Sequence, residues 1–330
     1  MKTGKRICTC IVCFLILFSF SACSVVSDMA SGESIDNGSD STPSPSPAPS
    51  AATPEVNQEK ESEIMEFGSS PVYEYETTEI MVESNGRDLY GVAYIPKTDG
   101  AKVPLVIYSH GLGGSYSNGT AYAEQLASCG IATYCFDFYG GSSSSRSGGS
   151  TTEMSVMTEV SDLEFVLEAA GTWDFVDRDK IILLGSSQGG VVSAITAARH
   201  EDKIAGMVLL YPAFVITDAV YGQFDSPEEI PDTYSLGWIT AGRIYLEDIW
   251  NYDAYSEIGN FKKPVMLLHG DEDSVVDVSY SEKAVEVYEN ADLFIISGAG
   301  HGFSGGHFEE VMVHIFNYLQ EIEVLTVAEQ

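Results

Sequence analysis

The sequence predicts an α/β protein, with a mostly parallel sheet and helices on both of its faces. Three observations carry that prediction. Short apolar, β-rich runs alternate with longer stretches whose apolar residues recur at three- and four-residue steps, the patterns of strands and amphipathic helices in turn. The run Ile181 to Leu184 passes into the helix-like stretch Gly190 to Arg199 through only Gly185-Ser186-Ser187-Gln188-Gly189. A turn that tight needs small residues where strand and helix approach, and Gly185 and Gly189 supply them. The alternation breaks once, from residue 212 to about 260, in an interval too long for a plain connection.

Along the chain, the strand-like runs are Glu79 to Val82, Leu89 to Ile95, Leu105 to Tyr108, Ala132 to Phe138, Lys180 to Leu184, Gly206 to Leu210, Val265 to Leu268 and Leu293 to Ile296. No helix separates the first two. Ser84-Asn85-Gly86 joins them as a hairpin-type turn, so the sheet is expected to open antiparallel. Helical periodicity at Ala121 to Ser128, Glu153 to Ala170, Val191 to Arg199, Ser279 to Glu289 and Phe308 to Ile322 then supplies the crossovers that parallel strands require. The interval at 212–260 is rich in aromatics, Phe214, Tyr234, Trp238, Tyr245 and Trp250 among them, and is expected to be an inserted lid or binding element. Residues 69–330 suit a single domain of this class.

Ahead of that domain, Lys2, Lys5 and Arg6 precede an apolar core from Ile7 to Phe20 and then Ser21-Ala22-Cys23-Ser24. Residues 1–23 therefore read as an export signal, with an apolar stretch short of the ~20 residues of a membrane span. The segment resembles a bacterial lipoprotein leader. That resemblance implies lipidation at Cys23 and a cell-surface protein attached to the membrane through a lipid anchor only, with simple secretion as the alternative. Residues 24–68, which include Ser41-Thr42-Pro43-Ser44-Pro45-Ser46-Pro47, cannot bury enough apolar surface to fold and read as a disordered, semi-rigid spacer. Cys8, Cys10 and Cys13 fall in the leader, so only Cys129 and Cys135 of the six cysteines belong to the folded part and no disulfide framework is expected. The 49 acidic and 16 basic residues give a formal charge of -33, which argues against a nucleic-acid partner and against adsorption to anionic lipid. No Cys-x-x-Cys pair or His-x-x-x-His cluster points to a metal, and no cofactor is called for.

Ser187 stands on the tight strand-to-helix turn, where strain exposes a nucleophile. A serine hydroxyl is a poor nucleophile near neutral pH. It needs a histidine base, and the base needs a carboxylate that fixes its tautomer and stabilises its charged form. Two later strand ends carry candidates: His269-Gly270-Asp271-Glu272-Asp273-Ser274-Val275-Val276, and Ser297-Gly298-Ala299-Gly300-His301-Gly302-Phe303. His301 is the base of choice among six histidines. His110 and His269 each precede a glycine at a strand end and are expected to orient turns, while His200, His307 and His314 fall on helices or loops. Asp271, Asp273 and Asp277 are all candidate acids. Two backbone N–H groups are needed for the oxyanion. Gln188, directly after the serine, offers one, and Leu112 in His110-Gly111-Leu112-Gly113-Gly114 offers the other. That glycine-rich turn lacks the Lys-Ser/Thr of a phosphate-binding loop.

With these stretches, and with Asp137-Phe138-Tyr139-Gly140 and its Ser-rich turn, the sequence from about Thr78 to Leu319 resembles an α/β-hydrolase. Within that superfamily it is most similar to the bacterial cinnamoyl or feruloyl esterases. The resemblance implies an α/β-hydrolase fold with an inserted lid and a serine carboxylic ester hydrolase working through an acyl-enzyme. It places Ser187, Asp273 and His301 in the family's order, Asp273 being the acid of G-x-x-D-x-V-V. It also implies that Asp218 and Tyr245, from the insertion, hydrogen-bond the phenolic ring of a hydroxycinnamate whose ester is a small molecule or is linked to polysaccharide. Dienelactone hydrolases share the layout but use cysteine where this chain has Ser187. Two other readings stay open. An exopeptidase of this superfamily usually carries an added propeller or cap, and none fits before Thr78, while an acylglycerol lipase would want an apolar lid, whereas this insertion carries Asp225, Glu228, Glu229, Asp232 and Glu247. A non-catalytic binding lipoprotein would be expected to have lost Ser187, Asp273 or His301.

Overall fold

The computed structural model describes residues 72–218 and 224–325. The expected leader with Cys23 and the spacer at 24–68 lie outside the described residues. The chain enters through β1 (Tyr75–Ser84) and β2 (Arg87–Pro96), paired antiparallel from Tyr75↔Pro96 to Ser84↔Arg87. Only Asn85 and Gly86 separate them, at φ of 50° and 78°. Two consecutive left-handed residues give the turn whose twist matches that of the strands, and Asn-Gly is the pair that adopts it with least strain.

A regular alternation follows: β3 (Val103–Ser109), α1 (Thr120–Ser128), β4 (Ala132–Phe136), α2 (Val156–Ala170), β5 (Val176–Ser186), α3 (Gln188–Arg199) and β6 (Gly206–Leu210). The aromatic interval then folds as a small hairpin, β7 (Thr233–Leu236) with β8 (Ile239–Gly242), and two short helices, α4 (Ile244–Glu247) and α5 (Ala254–Ile258). The alternation resumes with β9 (Val265–Gly270), α6 (Ser279–Val287), β10 (Ala291–Ile296) and α7 (Gly306–Glu321). Eight strands form one sheet in the order β1-β2-β4-β3-β5-β6-β9-β10. It opens antiparallel through β1, β2 and β4 and is parallel from β4 to β10.

Successive residues of β5 show how the two faces are filled. Ile181 and Leu183 belong to the core beneath α2, α3 and the insertion, and Ile182 and Leu184 to the core beneath α1 and α7. Side chains alternate across a strand, so a strand covered on both faces must be apolar at every position, which β4, β6 and β9 are close to being.

Two of the boundaries that differ from the periodicity have a clear physical cause. The helical pattern begins at Glu153, but α2 starts at Val156 because Ser155 caps it: Thr158 N–H donates to Ser155 Oγ at 3.1 Å and Ser155 N–H to Thr158 Oγ1 at 2.8 Å. Such a cap is worth about 1 kcal/mol. The run Ala132 to Phe138 leaves the sheet after Phe136, where the Asp137 carboxylate turns to accept from the backbone N–H of Tyr116 and Arg146.

Candidate active site

Ser187 sits between β5 and α3 at φ 53°, ψ -119°, a left-handed conformation that a non-glycine residue holds only under constraint from its surroundings. The constraint is the close approach of strand, helix and neighbouring loop. A Cβ on Gly185 would lie 2.2 Å from Gly189 O, and one on Gly189 would lie 2.2 Å from Ser109 O. The turn lifts the Ser187 side chain above the sheet, where Ser187 Oγ donates to His301 Nε2 at 2.9 Å. His301 Nδ1 in turn donates to Asp273 Oδ2 at 2.7 Å. Asp273 Oδ1 accepts from the N–H groups of Val275 and Val276, at 2.8 and 2.9 Å. Burial pushes the Asp273 carboxyl up, but the hydrogen bonds from His269, His301 and Val276 outweigh it and hold the group well below the usual carboxylate range.

Above these residues lies a cleft of about 480 Å³, a size that suits a small organic ligand. Leu112, Ile216 and Tyr245 line it from the insertion side, Tyr122, Tyr211 and Phe303 from the side of α1 and α7. Trp238, 67% exposed, and Val275, 40% exposed, also line it. The Tyr211 ring packs edge-on against His301, with centroids 4.7 Å apart, and limits how far the imidazole can swing.

Comparison with known proteins bears on the fold. A family model described as serine aminopeptidase, S33, matches residues 100–237, and that of an uncharacterised protein family matches residues 172–320. Est1E of Butyrivibrio proteoclasticus, solved with ferulic acid bound, is similar with a TM-score of 0.68 and 26% identity, over 74% of this chain and 99% of that one. The chain has the α/β-hydrolase fold. An uncharacterised protein of Mycobacterium tuberculosis is 24% identical to this hydrolase over 224 residues, covering 68% of this chain and 72% of the relative. Human alpha/beta hydrolase domain-containing protein 17B is 27% identical over 203 residues, 59% of each chain.

The hydrolase brings Ser187, His301 and Asp273 together although 114 residues separate the serine from the histidine. The other two candidate acids are occupied elsewhere. Asp271 accepts from Gly298 N–H and Ser297 Oγ, tying down the loop before His301, and Asp277 accepts from Ser279 N–H at the start of α6. Gln188 opens α3, and the first amides of a helix have no acceptor within it, so its N–H is free to serve a ligand at the positive end of the helix. Leu112 lines the cleft beside Gly111, where a Cβ would stand 3.0 Å from Ser187 Cβ. His110 is buried beneath this loop, its Nδ1 donating to Gly111 O at 2.8 Å and its Nε2 accepting from Phe138 N–H at 3.3 Å.

The two residues expected to meet a phenolic ring part company. Tyr245 lines the cleft and is 3% exposed, with its hydroxyl donating to Gln188 Oε1 at 2.6 Å. Asp218 is exposed, follows a short turn at Phe214–Thr217, accepts from the Tyr280 hydroxyl at 3.1 Å and does not line the cleft.

Sequence reasoning missed two polar groups next to the site. Glu159 on α2 is fully buried and accepts from Gln188 Nε2 at 2.7 Å. Burial pushes its carboxyl well above the ordinary value, the Gln188 bond opposing and nearby Asp162 adding to the rise. The side chain of Gln188 is therefore clamped between Glu159 and Tyr245. His269, expected only to orient a turn, places its imidazole against Asp273. The signal available in the sequence was their spacing of four residues across a strand end.

Proposed function

We propose that this hydrolase is a serine carboxylic ester hydrolase that works through an acyl-enzyme, with hydroxycinnamate esters as its substrates. The observation that carries the reading is the unbroken chain of hydrogen bonds from Asp273 through His301 to Ser187 at the floor of a cleft. Ser187 Oγ attacks the ester carbonyl carbon while its proton passes to His301 Nε2, and Asp273 stabilises the imidazolium that forms. The amides of Gln188 and Leu112 hold the oxyanion. Collapse breaks the bond to the alcohol oxygen, which takes the proton from His301. Water, deprotonated by the same imidazole, then releases the acid.

Because His301 protonates the leaving alcohol, the alcohol lies on the His301 side, near Tyr211 and Phe303. The acyl group then points the other way, against Leu112, Ile216 and Tyr245, an apolar wall with one hydroxyl. A hydroxycinnamoyl group has that pattern, and Est1E, similar over nearly its full length, was solved with ferulic acid. Anchoring at Cys23 and export belong to the same proposal and would present the cleft to esters outside the cell.

The serine aminopeptidase family match favours a second reading, exopeptidase. An aminopeptidase needs an anion for the substrate's ammonium group, and no carboxylate lines the cleft among the described residues. The deciding measurement compares kcat/KM for methyl ferulate, a short aliphatic aryl ester and an aminoacyl anilide. Preference for ferulate supports the proposal, turnover of the aliphatic ester alone removes the phenolic acyl pocket, and preference for the anilide overturns it in favour of peptidase. Ser187→Ala should abolish turnover and leave the unfolding transition in place; a variant that still hydrolyses at the wild-type rate rejects the nucleophile.

A further inference from the structure

We infer that His269 and Ser281 are positioning residues for the acid of the triad, so that five side chains rather than three form the network that contains the nucleophile. The inference rests on the serine hydrolase reading above. Ser281 Oγ lies 2.7 Å from His269 Nδ1, and His269 Nε2 lies 2.9 Å from Val276 O and 3.2 Å from Asp273 Oδ2. Asp273 Oδ2 is the same oxygen that receives His301 Nδ1 at 2.7 Å. His269 and Ser281 are both completely buried, one at the end of β9 and the other in the first turn of α6. They therefore grip the loop that carries Asp273 from the two elements that flank it.

The chemistry of the neighbours settles which nitrogen of His269 holds the proton. A backbone carbonyl and a carboxylate only accept, so Nε2 must carry the hydrogen that faces Val276 O and Asp273 Oδ2. Nδ1 is then an acceptor and takes the hydroxyl hydrogen of Ser281. In the opposite tautomer, the lone pair of Nε2 would point at two acceptors in a completely buried site. Ser281 thus holds His269 in the one tautomer that binds Asp273.

For Asp273 the result is saturation. Val275 and Val276 N–H occupy Oδ1, His301 and His269 occupy Oδ2, and a carboxylate offers about four lone-pair sites. The group can neither rotate nor take up a proton without breaking a bond. By sharing Oδ2, His269 draws charge from the oxygen that attracts the His301 imidazolium. Loss of that donor would strengthen the attraction between Asp273 and the His301 imidazolium. The other titratable groups facing this cluster are Tyr211, packed against the His301 ring, and Asp277, beside His269.

The experiment uses the full chain, a short aryl ester and titration of Ser187 with an aryl phosphonate, which counts functional sites. Ser281→Ala should lower kcat per titrated site about tenfold with little change in KM, as expected for weakening one hydrogen bond to a charged group. It should also move the acid limb of the kcat/KM profile to higher pH. His269→Phe should show both effects more strongly, and His269→Gln, which restores an N–H donor close to the position of Nε2, should recover most of the loss. Ser281→Ala removes a single oxygen atom and carries the test by itself if His269→Phe does not fold. Wild-type kcat per titrated site with an unmoved acid limb in Ser281→Ala overturns the inference and makes the pair mere packing. Failure of the phosphonate to label Ser187 in the wild-type protein would instead sink the serine reading itself.

Discussion

Two substitutions that each delete one phenolic oxygen should have different effects on stability. In Tyr245→Phe the hydroxyl that donates to Gln188 Oε1 at 2.6 Å disappears, and both residues are buried, at 3% and 0% exposure. Gln188 cannot turn its carbonyl elsewhere, because Nε2 is held by Glu159 Oε2 at 2.7 Å. The carbonyl is left without a donor, and an orphaned buried acceptor costs about 1–3 kcal/mol. At about 2–4 °C per kcal/mol for a domain of this size, Tm should fall by roughly 2–12 °C. Tyr288 is also buried, at 6% exposure, but its hydroxyl has no hydrogen-bond partner among the described residues. Tyr288→Phe therefore removes a polar group that is already unsatisfied and should be neutral or stabilising. Urea titrations of the two variants beside the wild type, with m-values compared, provide the assay. Equal losses in both variants would refute the reasoning, since the difference rests entirely on the Gln188 contact. If the acyl pocket is assigned correctly, Tyr245→Phe should also weaken hydroxylated cinnamates more than plain cinnamate.

Other expectations are as direct. Gly189→Ala should destabilise by about 3 kcal/mol or more and reduce activity with it, because the new methyl meets the backbone oxygens of Ser109 and His110 at 2.2 and 2.5 Å rather than a movable side chain; a fully folded, fully active variant would refute a close-packed elbow. Glu159→Gln should change the pH dependence of stability. The folded carboxyl is raised above its ordinary value of 4.5, so above that pH the unfolded chain releases a proton that the folded state retains, and stability falls as pH rises through the window up to the folded value. The neutral amide lacks this loss, so the variant should gain on the wild type as pH rises above 4.5, and parallel stability curves would reject a raised carboxyl at this position.

Much of the architecture was legible because it is local. The inner strands of the main sheet appear as apolar runs because strands covered on both faces leave no polar positions, and the Asn85-Gly86 hairpin appears because few residue pairs accept two consecutive positive φ values. The β7–β8 hairpin was hidden. Its four-residue strands, Thr233–Leu236 and Ile239–Gly242, are too short for a period to emerge and carry exposed positions on one face. In the site, the residues alone left Asp271, Asp273 and Asp277 open, and resemblance to the cinnamoyl esterases selected Asp273. The fold supplies the reason: the other two carboxylates are engaged by Gly298 and Ser279 backbone amides, and Asp273 is the one bonded to His301.

By itself the sequence determined that a serine would be lifted out of a strand-to-helix turn, since Gly185 and Gly189 leave room for nothing else there, and that a histidine and a carboxylate would follow at later strand ends. Only the tertiary structure decided which side chains meet. It put Asp218 on Tyr280 and Tyr245 on Gln188, and it brought Ser281 from α6 and His269 from β9 to a carboxylate whose other partner, His301, comes from the loop after β10. The difference is physical. Backbone conformation answers to neighbours in the chain, whereas a hydrogen bond between side chains answers to the packing of elements far apart in the chain, and no periodicity encodes that.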